Sequence, residues 1–452
     1  MIVNVSPKVT LNVSSIFQIG DIHYSTLINP KQKQAENYDP KLSPQVFSGT
    51  APLASVVLMS SLQDEIKKMP GSIVAFCGDY TTKGNIEYLN KAARYIADII
   101  TPIDKAILPD DNVHLVPGNH DVSQRHMPYT GLSPERFNYL SNLFRRAGVN
   151  PPLTTQVDYT THHSAAGSIL FASVNSCLAR GATRYAPELE LPGAELNTIA
   201  KAFGIDSATA LKKLQDELSS IDTPLALEEL DIPIIPADPI LNSISQHIAR
   251  ADAGTLPVIL AHHGFLPQGN PSFALYREMV NGGQVRSVLE NTGRPILYLH
   301  GHIHEDTLEV IRTATTNHIP ANSLGPPIVV ISAPPFLDGF NRIDITFSDS
   351  TPIGLTVYRF RRERSVLSQL EPTRIPLNSE VALSHDERLV RDVLVDLSHA
   401  RGDEIISYLI KHSHVMSAQL IQDLLENLIW RGFVRNYGPS DVPFKKRGYE
   451  II

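Results

Sequence analysis

The sequence predicts a layered α/β domain followed by a small, largely helical module, and three observations carry that prediction. Several short apolar runs rich in β-branched residues break off abruptly at glycine or histidine, as buried sheet strands do. Segments with apolar residues at helical spacing lie between some of these runs, the alternation of a layered α/β domain. Beyond about residue 384 the period becomes mostly helical.

Taken in order, "SSIFQIGDIH" (14–23) reads as a strand and "LASVVLMSSLQDEIKKM" (53–69) as a helix. The strand "SIVAFCGD" (72–79), the helix "IEYLNKAARYIADII" (86–100) and the strand "NVHLVPGNHD" (112–121) repeat the alternation. "SILFASVNS" (168–176), "LPVILAHHG" (256–264) and "PILYLHGHIH" (295–304) follow as strands, the last two flanking the helical "YREMVNGGQVRSVLENT" (276–292). Residues 326–362 then read as β-structure with no long helix between the runs.

Residues 181–250 mix two amphipathic pieces with the proline-rich "DIPIIPADP" and read as an insertion or cap within a domain of residues 1–365. The polar, proline-punctuated stretch 366–384 reads as a linker. In the tail, 385–452, three helical segments and a turn-rich close resemble a winged-helix module. A helical dimerisation or docking domain fits the same pattern, because the helix faces are not especially basic; only "KKRG" (445–448) looks like a phosphate-contacting tip.

Composition narrows the classes. With 42% hydrophobic and 19% charged residues the chain of 452 residues is an ordinary globular protein of about two to three domains' length. A formal net charge of −8 argues against a globally basic nucleic-acid binder while leaving room for a local basic patch. The two cysteines, Cys77 and Cys177, lie in apolar stretches and suit buried core positions in a reducing cytoplasm. The first residues lack a signal-peptide pattern, and no run of 18 apolar residues occurs, so neither a leader nor a membrane span is expected.

The chemistry is concentrated at strand ends. Asp21 and His23, Asp79, the Asn119–His120–Asp121 run, His262 and His263, and His302 and His304 all fall where open α/β sheets place their ligand sites. Carboxylate, imidazole and amide oxygen without thiolate suit manganese, iron, zinc or similar divalent ions, and argue against a structural zinc. Two ions about 3.5–4 Å apart need one shared carboxylate and separate terminal ligands, which this set can supply.

The ordered pieces "GDIH", "GD", "GNHD", "AHHG" and "GHIH" resemble those of the calcineurin-like metallophosphoesterases, over roughly residues 13–362. "GDYTTKGNIEYLNKA" is similar to the cyclic-nucleotide phosphodiesterase-like branch of that family; the family's repair nucleases usually carry different residues there, from which Thr81 and Thr82 depart. The resemblance implies a four-layer αββα sandwich with mixed sheets. It also implies that Asp21, His23 and His304 hold a first divalent ion, that Asp79 bridges, and that Asn119, His262 and His302 hold a second. His120 would be the general acid, with Asp121 orienting its ring and favouring the imidazolium. The implied reaction is hydrolysis of phosphomonoesters or phosphodiesters, of nucleotide-like substrates, with two ions activating the water that attacks.

Two other functions compete. A nuclease would use the tail as a nucleic-acid-binding or assembly module, and a non-catalytic scaffold would keep the fold without the ions; the intact ligand set weighs against the second. A protein partner or self-association through the tail fits either. Arg125, just after "GNHD", is placed to touch a phosphate.

Adjacent histidines on a strand face opposite ways, so only one of His262 and His263 can easily ligate; His263 is then a donor behind the ligands or a core residue. His162 and His163 match no ligand of the family and read as surface or hairpin residues. His300 reads as core or as support behind the ligands. The one-residue spacing of His302 and His304 suits a turn that splays them toward two ions.

Overall fold

The computed structural model describes residues 11–24, 51–81, 86–121, 137–153, 155–178, 233–267, 279–312, 325–348, 350–363, 366–377, 383–430, 433–437 and 442–451. The chain first lays down three parallel strands, β1 (Leu11–Ile19), β2 (Ile73–Phe76) and β3 (Val113–Leu115). Helices α1 (Ala51–Lys68) and α2 (Ile86–Ile100) are the crossovers between them. After α3 (Asn138–Arg146) it crosses to a second sheet made of β4 (Val157–His163), β5 (Ser168–Val174), β6 (Thr255–Leu260), β7 (Ile296–His300), β8 (Leu308–Ile311) and β9 (Ile328–Ser332). Helix α4 (Asn242–Arg250) leads into β6, and α5 (Gly282–Glu290) connects β6 to β7.

The spatial order of that second sheet is β4-β5-β6-β7-β9-β8, parallel from β5 to β9 with antiparallel edges. The chain then returns to the first sheet as β10 (Gly339–Ser348), β11 (Thr351–Glu363), β12 (Val366–Gln369) and β13 (Thr373–Pro376). The first sheet runs β12-β11-β10-β1-β2-β3, with β13 also paired to β11.

Side-chain alternation builds the four layers. Ile16, Ile73, Ala75, Phe171, Val258, Leu297, Leu299, Val329, Ile343 and Leu355 meet between the two sheets. Their neighbours Phe17, Val74, Phe76, Leu170, Ile259 and Tyr298 point the other way and pack with Leu62, Ile96, Ile244 and Leu289 of the helices. Both faces of the central strands are therefore apolar, which is why these strands read as unbroken hydrophobic runs. The expected four-layer α/β architecture is present.

Two expected boundaries shift. Residues 366–377, expected to be linker, form β12 and β13 on β11. Edge strands expose polar residues and tolerate proline, as at Pro376, so in sequence they look like a linker. The C-terminal part of the expected insertion 181–250 is core: Ile240, Leu241, Ile244 and Ile248 are buried against the main domain. Residues 179–232 lie outside the described residues.

The tail folds around its own apolar core of Val390, Leu394, Ile405, Leu409, Leu424, Leu425 and Leu428. It contains α6 (His385–Leu397), β14 (His399–Arg401), α7 (Gly402–Lys411), α8 (Ala418–Trp430), β15 (Val434–Tyr437) and β16 (Gly448–Ile451). The three strands form a small antiparallel sheet ordered β14-β16-β15. Ser384 and Glu387 form a reciprocal capping box that starts α6. Helix α8 rests on the first sheet: Arg374 of β13 sits 3.6 Å from Glu426 and 5.0 Å from the Trp430 ring centroid. A Cβ at Gly354 would come within 2.5 Å of the Trp430 indole. Among the described residues no helix is long and apolar enough to cross a membrane.

Candidate metal centre

Five strands deliver their carboxyl ends to one place. β1, β2 and β3 are neighbours in the first sheet and β6 and β7 are neighbours in the second. The loops after them interlock through backbone bonds, His23 N–H to Asp79 O at 2.9 Å and Gly301 N–H to His262 O at 3.1 Å. The approach is so close that a Cβ at Gly118 would lie 2.1 Å from Asp79 Oδ1, so this position requires glycine.

Two clusters of donor atoms result: Asp21, His23, Asp79 and His304 in one, His262, His263 and His302 in the other. In the first, His23 Nε2 and His304 Nε2 converge to 2.9 Å. In the second, His262 Nε2 lies 2.9 Å from Asn119 Oδ1. Asp79 Oδ2 stands between them, 3.3 Å from His262 Nε2 and 3.9 Å from His23 Nε2. Asp21 is held by the His302 amide, which donates to both carboxylate oxygens at 3.1 Å.

The backbone carries strain at these positions. Of the seven non-glycine residues with positive φ among those described, four are His23 (45°), Asp79 (51°), His302 (69°) and His304 (54°). Each such conformation costs on the order of 1–3 kcal/mol and survives only where the surroundings impose it. The "GHIH" segment is a turn, as its spacing suggests: Ile303 N–H donates back to Gly301 O at 2.9 Å, with His302 at the apex.

The electrostatics favour a cation. His262 Nδ1–H donates to the Cys77 carbonyl at 2.7 Å, so a neutral ring turns only a lone pair toward the oxygens of Asn119 and Asp79. Burial opposes a charge on His262, yet Asp79 and Asp21 outweigh it and push its pKa up to about 10. Burial likewise raises Asp21 to about 6, against the pull of His304 and His262. At Asp79 burial is overcome by His262, His120 and His23, and the carboxyl falls well below the usual range. Burial and the neighbouring His263 and His262 keep His302 neutral, and its buried Nε2 has no hydrogen-bond partner among the described residues. Acceptors and lone pairs facing a common point fit a divalent ion.

The remaining expectations divide. His120 stands partly exposed beside His23, ring centroids 5.5 Å apart, and its amide donates to Asp79 Oδ1 at 2.9 Å. Asp121 is placed differently from the ring-orienting role expected of it: Oδ2 accepts from Gly118 N–H at 2.8 Å and Oδ1 from Tyr80 N–H at 2.8 Å and Thr81 N–H at 3.3 Å. It braces the loops after β2 and β3, because three backbone amides point into its pocket. Arg125 lies outside the described residues, as does Thr82. Thr81 is buried, its hydroxyl near the His120 carbonyl at 3.4 Å.

His263 also departs from the expectation of a strand alternation. β6 ends at Leu260, so the two histidines lie in a turn, and the His263 ring meets both His262 (4.7 Å) and His302 (4.4 Å). Ser176 lies outside the strand-end motifs of the sequence, yet its hydroxyl lies 2.9 Å from His263 Nδ1 and fixes the ring. Its signal was its place at the end of the "SILFASVNS" run. His300 is buried, its Nδ1–H on the Gly301 carbonyl at 2.9 Å and its ring beneath Gly264. Burial lowers its pKa to about 4, and it supports the loop rather than joining the donor clusters.

The two sheets of this α/β sandwich gather oxygen and nitrogen donors at one place along their edges, a donor set chemically suited to divalent ions. A family model described as calcineurin-like phosphoesterase matches residues 14–306, and the chain belongs to that family. It is a hydrolase acting on phosphoester bonds. Divalent metal ions are implied by the family, and the donor clusters are chemically suited to hold them.

Among solved structures, similarity extends to a dimetal phosphatase from Danio rerio (12% identity, 81% of this chain and 99% of that one, TM-score 0.44). It extends also to the NAD nucleotidase of Haemophilus influenzae (12% identity, 93% of this chain and 60% of that one, TM-score 0.34). A calcineurin-like phosphoesterase from Bacillus subtilis shares 11% identity over 92% of this chain and 99% of that one, with a TM-score of 0.29. Comparison with curated protein sequences gave no match.

Proposed function

We propose that the protein hydrolyses phosphomonoesters or phosphodiesters of nucleotide-like compounds with two divalent ions. Asp21, His23 and His304 hold one, Asn119, His262 and His302 the other, and Asp79 joins them. The observation that carries this reading is the single oxygen Asp79 Oδ2 between His262 Nε2 at 3.3 Å and His23 Nε2 at 3.9 Å. Manganese, iron or zinc suits the mixed carboxylate, imidazole and amide set. When bound, the ions supply an activated water and neutralise charge on the phosphoryl oxygens.

The protein's own groups do the rest. His120, beside the first cluster and partly exposed, donates a proton to the leaving oxygen. Asp121 holds the His120 loop against the Asp79 loop through backbone amides. Two buried thiols, Cys77 and Cys177, suit a reducing, cytoplasmic setting.

The order α6–β14–α7–α8–β15–β16 supports reading the tail as winged-helix-like. Its third helix, the one such modules place in a DNA groove, is packed on the first sheet through Trp430 and Glu426. That arrangement favours assembly over groove reading and ranks the nuclease function second.

The test is hydrolysis of bis-nitrophenyl and mono-nitrophenyl phosphate with and without added manganese, followed by nucleic-acid digestion. Metal-dependent turnover of the small esters is expected. Digestion of nucleic acid without turnover of either ester would overturn the nucleotide-like assignment.

A further inference from the structure

The two donor clusters draw on both sheets, so the loop after β7 must be held at a fixed position relative to β1, β2 and β3. Both ends of that loop are tied to one buried polar chain across the first sheet. At the start, Gln18 of β1 donates Nε2–H to the carbonyls of His300 at 3.0 Å and Ile331 at 2.9 Å. Gln18 Oε1 accepts from Asn341 Nδ2 at 3.0 Å, and Asn341 Oδ1 accepts from Arg361 Nη2 at 2.6 Å. At the far end Arg361 grips Asp306 Oδ2, with Nη2 at 2.6 Å and Nε at 3.1 Å, while Arg359 Nε donates to Asp306 at 3.2 Å.

Gln18 and Asn341 are fully buried, and Arg361 Nη1 is further fixed by the carbonyls of Phe340 and Phe360 at 2.9 and 2.8 Å. Apolar packing between the sheets resists separation but leaves sliding soft; directional bonds in a buried setting fix position. His302 and His304 lie between the two anchored ends. His304 is also the one member of the Asp21–His23–Asp79–His304 cluster that comes from the second sheet.

We propose that Gln18, Asn341, Arg361 and Asp306 form a positioning relay that sets His302 and His304 against the donors of the first sheet and thereby sets the metal affinity of the cluster containing His304. The inference rests on the metal-site reading above. The relay supplies no ligand; breaking it loosens one ligand of the cluster without removing any, as outer hydrogen-bond partners of metal ligands do elsewhere.

The experiment uses the full chain as wild type, Asp306→Asn, Arg361→Lys, His304→Ala and Arg374→Ala, the last breaking the ion pair between β13 and α8 as a control remote from the relay. Metal content after dialysis against buffered manganese and the manganese concentration for half-maximal bis-nitrophenyl phosphate hydrolysis are measured with the melting temperature. Asp306→Asn and Arg361→Lys are expected to need about 10–100-fold more metal, with turnover at saturating manganese restored to about the wild-type value. Arg374→Ala keeps wild-type metal demand.

Lower melting temperatures in Asp306→Asn and Arg361→Lys with unchanged metal demand would overturn the relay and leave a structural brace. If Arg361→Lys does not fold, the near-isosteric Asp306→Asn decides alone. Retention of both ions and full activity by His304→Ala would instead overturn the metal-site reading, a distinguishable failure.

Discussion

The chain contains two double histidines, and the structure uses them in opposite ways. His162 and His163 lie inside β4, where alternation holds: His162 faces inward, its Nε2 2.8 Å from His114 Nε2, and His163 is exposed with Nδ1 2.9 Å from Ser168 Oγ. His262 and His263 lie beyond the end of β6, where the chain turns and both rings reach the same cluster. Whether two adjacent histidines enter one donor cluster is thus decided by where the strand stops rather than by the dipeptide. A strand can present one of two neighbours to a site; a turn presents both.

Breaking the shared carboxylate gives the largest effect. Asp79→Asn is expected to lower turnover by about 10³-fold, because the charge facing both histidine groups is lost. Next comes His120→Ala, with a loss of about 10²-fold on an alkyl phosphoester and a much smaller loss on a nitrophenyl ester, whose leaving group needs no proton. Equal losses on both substrates would remove His120 from the acid role.

The double histidines can be compared directly. His263→Ala is expected to weaken metal retention by about 10–100-fold, whereas His163→Ala leaves it unchanged; equal behaviour of the two variants, read by metal content at limiting manganese, would erase the distinction.

The smallest effect concerns stability at the other pair. Burial lowers His114 to about 3, and burial lowers His162 to about 4. Both depressed values mean that the folded state prefers neutral rings. The associated stability is fully present above the ordinary histidine pKa near 6.5 and is lost as pH falls from there through about 4 toward 3. Wild type should therefore lose melting temperature relative to a His114→Leu/His162→Thr double variant on acidification from pH 7 to 4.5, with neutral-pH turnover alike. A melting-temperature difference that does not change with pH would contradict this.

Much of the fold, and the gathering of the candidate donors, could be read from residue patterns because the central strands are apolar on both faces and end abruptly at chemistry-bearing residues, as "FCGD" and "YLHGHIH" do. The readings that changed lie where that signal is weak. β12 and β13 are edge strands whose exposed, polar and proline-bearing sequence resembles a linker. The piece carrying Ile240 and Ile244 is a core helix preceded by prolines that made it look like an insertion.

At the site, Asp121 looked like a partner for the adjacent His120, but sequence adjacency says little about a carboxylate surrounded by the amides of Gly118, Tyr80 and Thr81. The contributions of Ser176, Asn341 and Asp306 depend on contacts between residues far apart in the chain, which periodicity does not report.

Asp79 is proposed to join two metal-holding clusters at the edge of both sheets. Elemental analysis of purified wild type and Asp79→Asn after dialysis against limiting divalent metal tests it most directly. Two ions per chain are expected in wild type and at most one in the variant; two ions retained by Asp79→Asn would contradict the joining role.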